Sequence, residues 1–373
     1  MGNVRQEREP VSRFANHKGT GGLDFESIAG DQFRAPDKNR YLQAARRVES
    51  PAVPFQELEF AHPIVEALLG HPVPKVRCYE LPGPELVNLY RVAGCDMAYV
   101  SCIWELGRQN YIDEQGRKHY VDGLFKTRAS LRDIVFPDAG ALRRRLDEVT
   151  GALAGSGMGL IFAPNPMPFL VTTAIGYQDY YQALYLEPDF ILEFQQRLQD
   201  WCFAELDIAL EYPVDVVRVG AVLCTKQGPI MNAEMLERFE YPYLRQVVSR
   251  IHAKGRLALL HTDGDLTSVL PGLVGMGFEI LHPVEMCGGV QDIGTIKQRF
   301  GDRLAVHGNI DVGSVLAPGT PDDVRRDTLA HLDKLAPGGG YICGSSHDIS
   351  EDVPLANLLA MRDTVHSYRL PCQ

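Results

Sequence analysis

The chain has 373 residues, of which 45% are hydrophobic, so it can bury the core of one large domain or of two ordinary ones. Its formal net charge of -11 argues against a nucleic-acid partner and an anionic membrane surface, because both need a basic face. Residues 1–10 form no apolar segment, and prolines interrupt the most apolar window, 157–176. We therefore expect a cytoplasmic protein outside the membrane, with its 8 cysteines reduced.

The N-terminal residues 1–38 are rich in arginine, aspartate and glycine and show no sustained hydrophobic periodicity, which predicts an extension to the main domain. Residues 39–373 form the predicted domain. Within it, eight apolar runs have the length and composition of buried strands, at positions 52–60, 96–104, 159–163, 214–220, 256–261, 278–282, 304–308 and 341–344. Segments with helical spacing separate most of these runs.

Alternating strands and helices predict a parallel sheet. Eight units without a G-x-G-x-x-G sequence after the first strand favour a (β/α)8 TIM barrel of the α/β class over a doubly wound nucleotide-binding fold. The apolar spacing predicts helices over 189–212 and 233–255, and a third helix begins after Thr320 with Pro321 in its first turn. The segment 108–153 is longer than one crossover needs, which predicts a β-insertion around 111–123.

Several runs end in residues that can bind a metal, and these ends share one rim of a barrel. His261 ends the fifth run and Asp263 lies two residues later, and side chains two apart on an extended segment point the same way. Together with His347, after the last run, they form a predicted Zn²⁺ site. The alternative is that His261 bonds the backbone while Asp263 shapes the Asp-Gly turn.

Glu285, after the sixth run, is expected to be a fourth metal ligand or a proton acceptor, or else to pair with a Lys or Arg at the rim. For other residues at these positions the structural interpretation is favoured. We expect burial for Cys343, backbone bonding or packing for His282 and His307, and packing or a place at the mouth for Tyr177, Tyr180 and Tyr181.

The spacing of His261, Asp263 and His347 also fits the two-histidine, one-carboxylate pattern of non-haem iron oxygenases, so the metal could be iron rather than zinc. Those enzymes usually have an antiparallel double-sheet barrel. Three helix–strand units separate Asp263 from His347 here, which argues against that fold.

Four segments, 228–255, 259–285, 300–327 and 335–361, resemble the uroporphyrinogen decarboxylase superfamily, and the resemblance extends from about residue 39 to residue 368. It implies a (β/α)8 barrel. The superfamily includes tetrapyrrole decarboxylases and cobalamin-dependent methyltransferases. The decarboxylases have an arginine-rich N-terminal loop and an aspartate after the second strand. This chain has Arg34 and Arg40 near its N-terminus but Cys102 at the aspartate's position, and only His347 matches the decarboxylases' C-terminal histidine.

The methyltransferase branch has a zinc site of the type His-x-Cys with a distant Cys, and a glutamate after the following strand. By this resemblance His261 and Glu285 match, while Asp263 and His347 replace the two cysteines. Replacing sulfur by harder ligands makes the metal more Lewis-acidic, which suits an oxygen substrate. The resemblance thus implies a zinc-dependent methyltransferase, with Glu285 and His347 as catalytic residues, that moves a methyl group between a methoxyl- or methylthiol-type molecule and a corrinoid on a partner protein.

Two alternatives remain open from the sequence. One is a metal-free decarboxylase in which His347 and an N-terminal arginine bind the substrate carboxylate. The other is a non-catalytic binding barrel, because a fold alone does not give a function.

Overall fold

The computed structural model describes residues 32–114, 118–285, 287 and 292–370. Most of the predicted extension, residues 1–38, lies outside this part of the chain. The eleven strands of the described residues are β1 (Met97–Ser101), β2 (Arg108–Ile112), β3 (Lys118–Gly123), β4 (Gly159–Ala163), β5 (Val216–Gly220), β6 (Cys224–Thr225), β7 (Gly228–Pro229), β8 (Leu257–His261), β9 (Ile280–His282), β10 (Ala305–His307) and β11 (Tyr341–Ile342).

Seven of these strands form one curled parallel sheet in the order β1-β4-β5-β8-β9-β10-β11. Every residue of β1, β4 and β8 is buried, as expected for parallel strands covered on both faces. The α/β class with parallel strands is confirmed, and each predicted run from the second to the eighth contains a strand of this sheet. Because this sheet is parallel, the fold differs from the antiparallel double-sheet barrel that the iron oxygenases usually have.

The first predicted strand, 52–60, is not a regular strand, so the seven-stranded sheet is not closed into a complete eight-stranded barrel. Phe55 forms a single parallel bridge with Cys343, next to β11. On the other side, the Gln56 side chain bonds the backbone of Met97 in β1, accepting from its N–H at 2.9 Å and donating to its carbonyl at 3.1 Å. Pro54 lacks a backbone N–H, which limits a regular ladder here.

Helices follow most strands of the parallel sheet, as predicted. The helices of the described residues are α1 (Lys38–Ala45), α2 (His62–Leu69), α3 (Gly83–Ala93), α4 (Ala139–Leu153), α5 (Met167–Ile175), α6 (Tyr177–Leu186), α7 (Pro188–Ala209), α8 (Ala233–Phe239), α9 (Tyr241–Ala253), α10 (Leu270–Gly275), α11 (Ile293–Phe300), α12 (Pro321–Leu335) and α13 (Leu355–Ser367). Short 3₁₀ turns occupy Cys78–Glu80 and Arg128–Asp133, and a π turn occupies Val312–Leu316.

Three local predictions can be compared with these elements. The Thr320 side chain caps α12 by accepting from the Asp323 N–H, as its sequence indicates. The helix predicted over 233–255 is instead two helices, α8 and α9, because Pro242 cannot donate a backbone hydrogen bond and the chain bends at Glu240. The predicted insertion is present, since β2 and β3 pair antiparallel. No helix among the described residues is long and apolar enough to span a bilayer.

Candidate metal centre and adjoining cleft

The carboxyl end of the sheet brings together three of the predicted site residues. His261 is the last residue of β8, Asp263 lies two residues later, and His347 is in the segment after β11. Each offers a ligand atom, and the three atoms lie within 4.8 Å of one another. His347 Nε2 is 3.9 Å from Asp263 Oδ2. Ligands of one metal 2.0–2.2 Å away lie within about 4 Å of one another, so small side-chain shifts would let these three atoms share a cation.

A buried histidine pair fixes the ring of His261. The Nδ1 atoms of His261 and His282 are 2.9 Å apart, so one donates to the other and Nε2 of His261 is the nitrogen left for a ligand. Burial lowers the pKa of both rings well below the usual range. Both imidazoles are therefore neutral at pH 7, which is the form that binds metals.

His307 continues this row of rings, with its centroid 4.5 Å from that of His282. Its Nε2 lies 2.9 Å from the carbonyl oxygen of Gln56, and because a carbonyl can only accept, Nε2 carries the proton. Burial lowers the pKa of His307 to about 4. His307 thus forms the expected hydrogen bond to the backbone, whereas His282 bonds another side chain.

Glu285 lies beside the three residues but outside their cluster. Its Oε1 is 3.1 Å from Lys226 Nζ, and its Oε2 accepts a 2.9 Å hydrogen bond from the Gly264 N–H. The pKa of Asp263 is raised, first by burial and also by the nearby Glu285 charge. The structure therefore shows the ion pair with a rim lysine, and a role of Glu285 as ligand or base stays a prediction.

Two charged residues at this end of the sheet were missed by the sequence reasoning. Arg218 of β5 is partly buried, with its guanidinium carbon 5.8 Å from the Tyr99 ring centroid. Glu59 lies 3.6 Å from Arg77, and burial followed by the charge of Asp348 raises its pKa to about 7. The arginine inside the apolar run 214–220 could have indicated a functional residue, because charged residues rarely lie in buried strands without a partner.

An open cleft of about 1090 Å³ adjoins the metal-capable cluster, and His347 forms part of its wall. Its size slightly exceeds the usual range of small-molecule sites, about 300–1,000 Å³. Charged side chains of both signs line it, among them Glu59, Lys75, Arg77, Arg108, Lys118 and Asp348. A polar organic molecule that enters this cleft therefore reaches the cluster from the side of His347.

The family model of uroporphyrinogen decarboxylase (URO-D) matches residues 158–368, more than half of the chain, and this region supplies all three members of the cluster. The chain belongs to the uroporphyrinogen decarboxylase family. The membership confirms the resemblance seen in the sequence.

Curated relatives carry the same family name at low identity. The uroporphyrinogen decarboxylase of Aromatoleum aromaticum is 25% identical over 257 residues, covering 64% of this chain and 67% of that protein. The one from Methylococcus capsulatus is 27% identical over 190 residues, covering 50% of this chain and 51% of that protein. The matches thus span between about half and two thirds of these relatives.

A methyltransferase from Methanosarcina mazei has a similar structure, with a TM-score of 0.70 and 15% sequence identity. The alignment covers 89% of this chain and 98% of that one. At this identity the similarity establishes a shared TIM-like α/β fold over nearly the whole described chain.

Of the residues compared with the decarboxylases of this family, His347 belongs to the cluster, whereas Cys102, Arg34 and Arg40 lie apart from it. Cys102 follows β1 and lines an apolar cavity beside the cleft, and burial raises the pKa of its thiol to about 11, so it carries no charge at pH 7. Arg40 Nη1 is 2.6 Å from Asp96 Oδ1, directly before β1, and Arg34 donates to the carbonyls of Val53 and Val365. Both arginines thus lie at the amino end of the sheet, away from His347.

The other candidate residues have packing roles. Cys343 is buried, and burial raises its thiol pKa to about 12. The Tyr180 hydroxyl donates to Glu240 at 3.4 Å, and the rings of Tyr177 and Tyr120 pack edge to face. The tyrosines of α6 are not among the residues that line the cleft.

Proposed function

We propose that this protein is a metal-dependent methyltransferase that moves a methyl group between a methoxyl- or methylthiol-type molecule and a reduced corrinoid carried by a partner protein. The observation that carries the proposal is the convergence of His261, Asp263 and His347 beside the cleft. The family membership and the methyltransferase-like fold support it.

The donor set fits a zinc ion. Two imidazoles and one carboxylate are ordinary ligands for Zn²⁺, and a catalytic zinc keeps a position open for substrate. His261 is neutral, and the contact with His282 directs its free Nε2 away from the buried histidine row. The bound ion would supply Lewis-acid activation of the donor's oxygen or sulfur. With no sulfur ligand in the set, an oxygen donor is favoured over a thiolate.

Proton supply is the second task of the site. When a methyl group leaves an ether, its oxygen keeps the electron pair of the broken bond and takes up one proton, while the acceptor provides the pair for the new bond to carbon. Glu59 lines the cleft, and with a pKa near 7, raised by burial and by Asp348, part of its population holds a proton at neutral pH. We assign Glu59 as the donor of that proton.

Arg218 balances the carboxylates of the site. The charges of Glu59, Asp263 and Asp348 all act on its guanidinium. A fixed positive charge at this position stabilises the anionic oxygen that forms when the methyl group departs, as preorganised charges do in other enzymes. Glu285 remains the proposed fourth ligand or base, and Lys226 holds it beside Gly264 until a ligand binds.

Metal analysis of the purified protein tests the first part of the proposal. Wild-type protein loaded with Zn²⁺ and desalted should retain about one ion per chain. His261→Ala and His347→Ala should each lose most of it. His331→Ala, which removes a histidine from the outer helix α12, is the matched control. A folded wild-type protein that retains no zinc would contradict the metal site.

Methyl transfer is tested by adding cob(I)alamin, or a corrinoid protein, with a methoxylated aromatic compound. Formation of methylcobalamin changes the visible spectrum. A broad panel of methoxyl, methylthiol and methylamine donors that leaves the spectrum unchanged, with zinc in place, would exclude the reaction.

A metal-free decarboxylase is the second candidate, because the curated relatives are named uroporphyrinogen decarboxylase. It would use His347 for the substrate carboxylate, but Arg34 and Arg40 lie too far away to assist. Anaerobic product analysis with uroporphyrinogen distinguishes the two. Loss of four carboxylates at a steady rate by zinc-free protein would favour the decarboxylase, and a failure of both assays would favour a binding protein.

A further inference from the structure

An apolar cavity of about 560 Å³ lies beside the cleft, between the segment after β1 and helices α4 and α7. The 2 tryptophans of the chain, Trp104 and Trp201, both line it, with ring centroids 4.7 Å apart. Phe136 packs on Trp104 from outside, at a centroid distance of 5.6 Å. The volume and the aromatic walls are typical of a small-molecule binding site.

A buried carboxyl group forms part of the cavity wall. Glu205 is 3% exposed, and Asn165 holds both of its oxygens, donating from its backbone N–H at 2.8 Å and from Nδ2 at 2.7 Å. Among the described residues no cationic side chain forms an ion pair with Glu205, and burial raises its pKa to about 8. Without a counter-charge this buried group is mostly protonated at pH 7, and a cationic ligand at this wall would stabilise the carboxylate and release that proton to solvent.

The rest of the lining adds negative rather than positive charge. Glu80, Asp138 and Glu148 contribute three more carboxylates. Arg145 is the one cationic side chain among the described lining residues. It is already bound, because it pairs with Glu148 at 2.9 Å and donates to the backbone carbonyls of Tyr79 and Leu81. The cavity therefore combines aromatic walls with an excess of carboxyl groups.

We propose that this cavity binds a small organic cation, an arylalkylammonium or quaternary ammonium compound, between Trp104, Trp201 and Glu205. The tryptophan rings contact the apolar groups around the nitrogen, since indole is the aromatic surface that attracts cations most strongly. Glu205 releases its proton to solvent when the cation binds and then provides the counter-charge. This inference goes beyond methyl transfer, and its test does not depend on the metal or on turnover.

Binding is measured with benzyltrimethylammonium as the probe and benzyl alcohol as the neutral comparison, by calorimetry and by intrinsic fluorescence. Because both tryptophans line the cavity, their emission reports on it directly. The cation should bind at least about tenfold more tightly than the alcohol, given the combined cation–π and carboxylate attraction. Equal affinities, or no binding of the cation at millimolar concentration, would overturn the proposal.

Variants locate the site. Glu205→Gln should weaken binding of the cation about tenfold and leave the alcohol unchanged. Trp201→Leu should weaken both, and it keeps the test decisive if Glu205→Gln, which removes one acceptor from Asn165, fails to fold. Glu240→Gln is the matched control, because Glu240 is also buried with a pKa near 8 from burial but lies outside the cavity. Cation binding that is unaffected in both Glu205→Gln and Trp201→Leu would place the site elsewhere.

Discussion

Charged groups stand at both ends of the parallel sheet, but they are arranged differently. At the amino end, Arg40 contacts Asp96 at 2.6 Å and Lys38 contacts Asp215 at 3.1 Å. At the carboxyl end, His347 lies 3.7–3.9 Å from its acidic neighbours Asp348 and Asp263.

Short, bonded pairs stabilise a fold, whereas longer separations leave lone pairs free for a ligand. This difference agrees with the general division of such folds, in which the amino end serves stability and the carboxyl end serves chemistry.

Asp263→Ala should have the largest effect at the carboxyl end. We expect loss of zinc and loss of detectable methyl transfer, because two imidazoles alone do not complete the site. The thermal midpoint should stay close to that of the wild type. Zinc content, the methylcobalamin assay and a melting curve measure the three quantities. A variant that keeps full activity would remove Asp263 from the site.

Asp96→Ala should have the opposite profile. It removes the partner of Arg40 from a fully buried position, and we expect a loss of about 3 kcal/mol in the free energy of unfolding. Zinc binding per folded molecule should not change. Denaturant unfolding beside metal analysis tests this prediction. If zinc affinity fell as well, the two ends of the sheet would be coupled and the division would fail.

Glu59→Gln should lower the rate of methyl transfer about 100-fold at pH 6, because the amide cannot release a proton. In the wild type the active form is protonated, so the rate should fall as pH rises through about 7, the raised pKa of Glu59. The variant should lose this decline. A wild-type rate that rises steadily across this range would assign the proton to another group.

His282→Phe should weaken zinc binding by about tenfold, the lower end of the range for residues that orient a metal ligand. The ring shape is kept, but the hydrogen bond to His261 Nδ1 is lost. Chelator competition gives the affinity, and the visible spectrum of the Co²⁺ form reports the ligand geometry. An unchanged affinity and spectrum would mean that packing alone orients His261.

The sequence predicts the parallel strands and the cluster well, because both depend on local patterns. His261 and Asp263 are two residues apart, and His347 follows the last apolar run. The regular strand predicted at 52–60 does not form, although the apolar pattern continues through Pro54. Pro54 has no backbone N–H to donate to a ladder of strand hydrogen bonds.

What the sequence does not predict is the set of contacts between distant segments. His261 bonds His282, a residue on the neighbouring strand. Arg34 and Arg40 were candidates for binding a substrate carboxylate, but they lie at the amino end of the sheet. Composition and residue spacing do not give the distance between side chains that are far apart in the sequence. The placement of Glu59 beside Asp348 likewise depends on how the first segment packs against the last.

The amide of Gln56 bridges Met97 much as another strand's backbone would, so one side chain stands in for part of a missing ladder. The curled sheet consequently has a seam between the first segment and β1. Seams of this kind open at lower free energy than a continuous ladder does. In hydrogen–deuterium exchange, the Met97 amide should therefore exchange before the amides at the centre of β8. Local opening of the protein should occur along this seam.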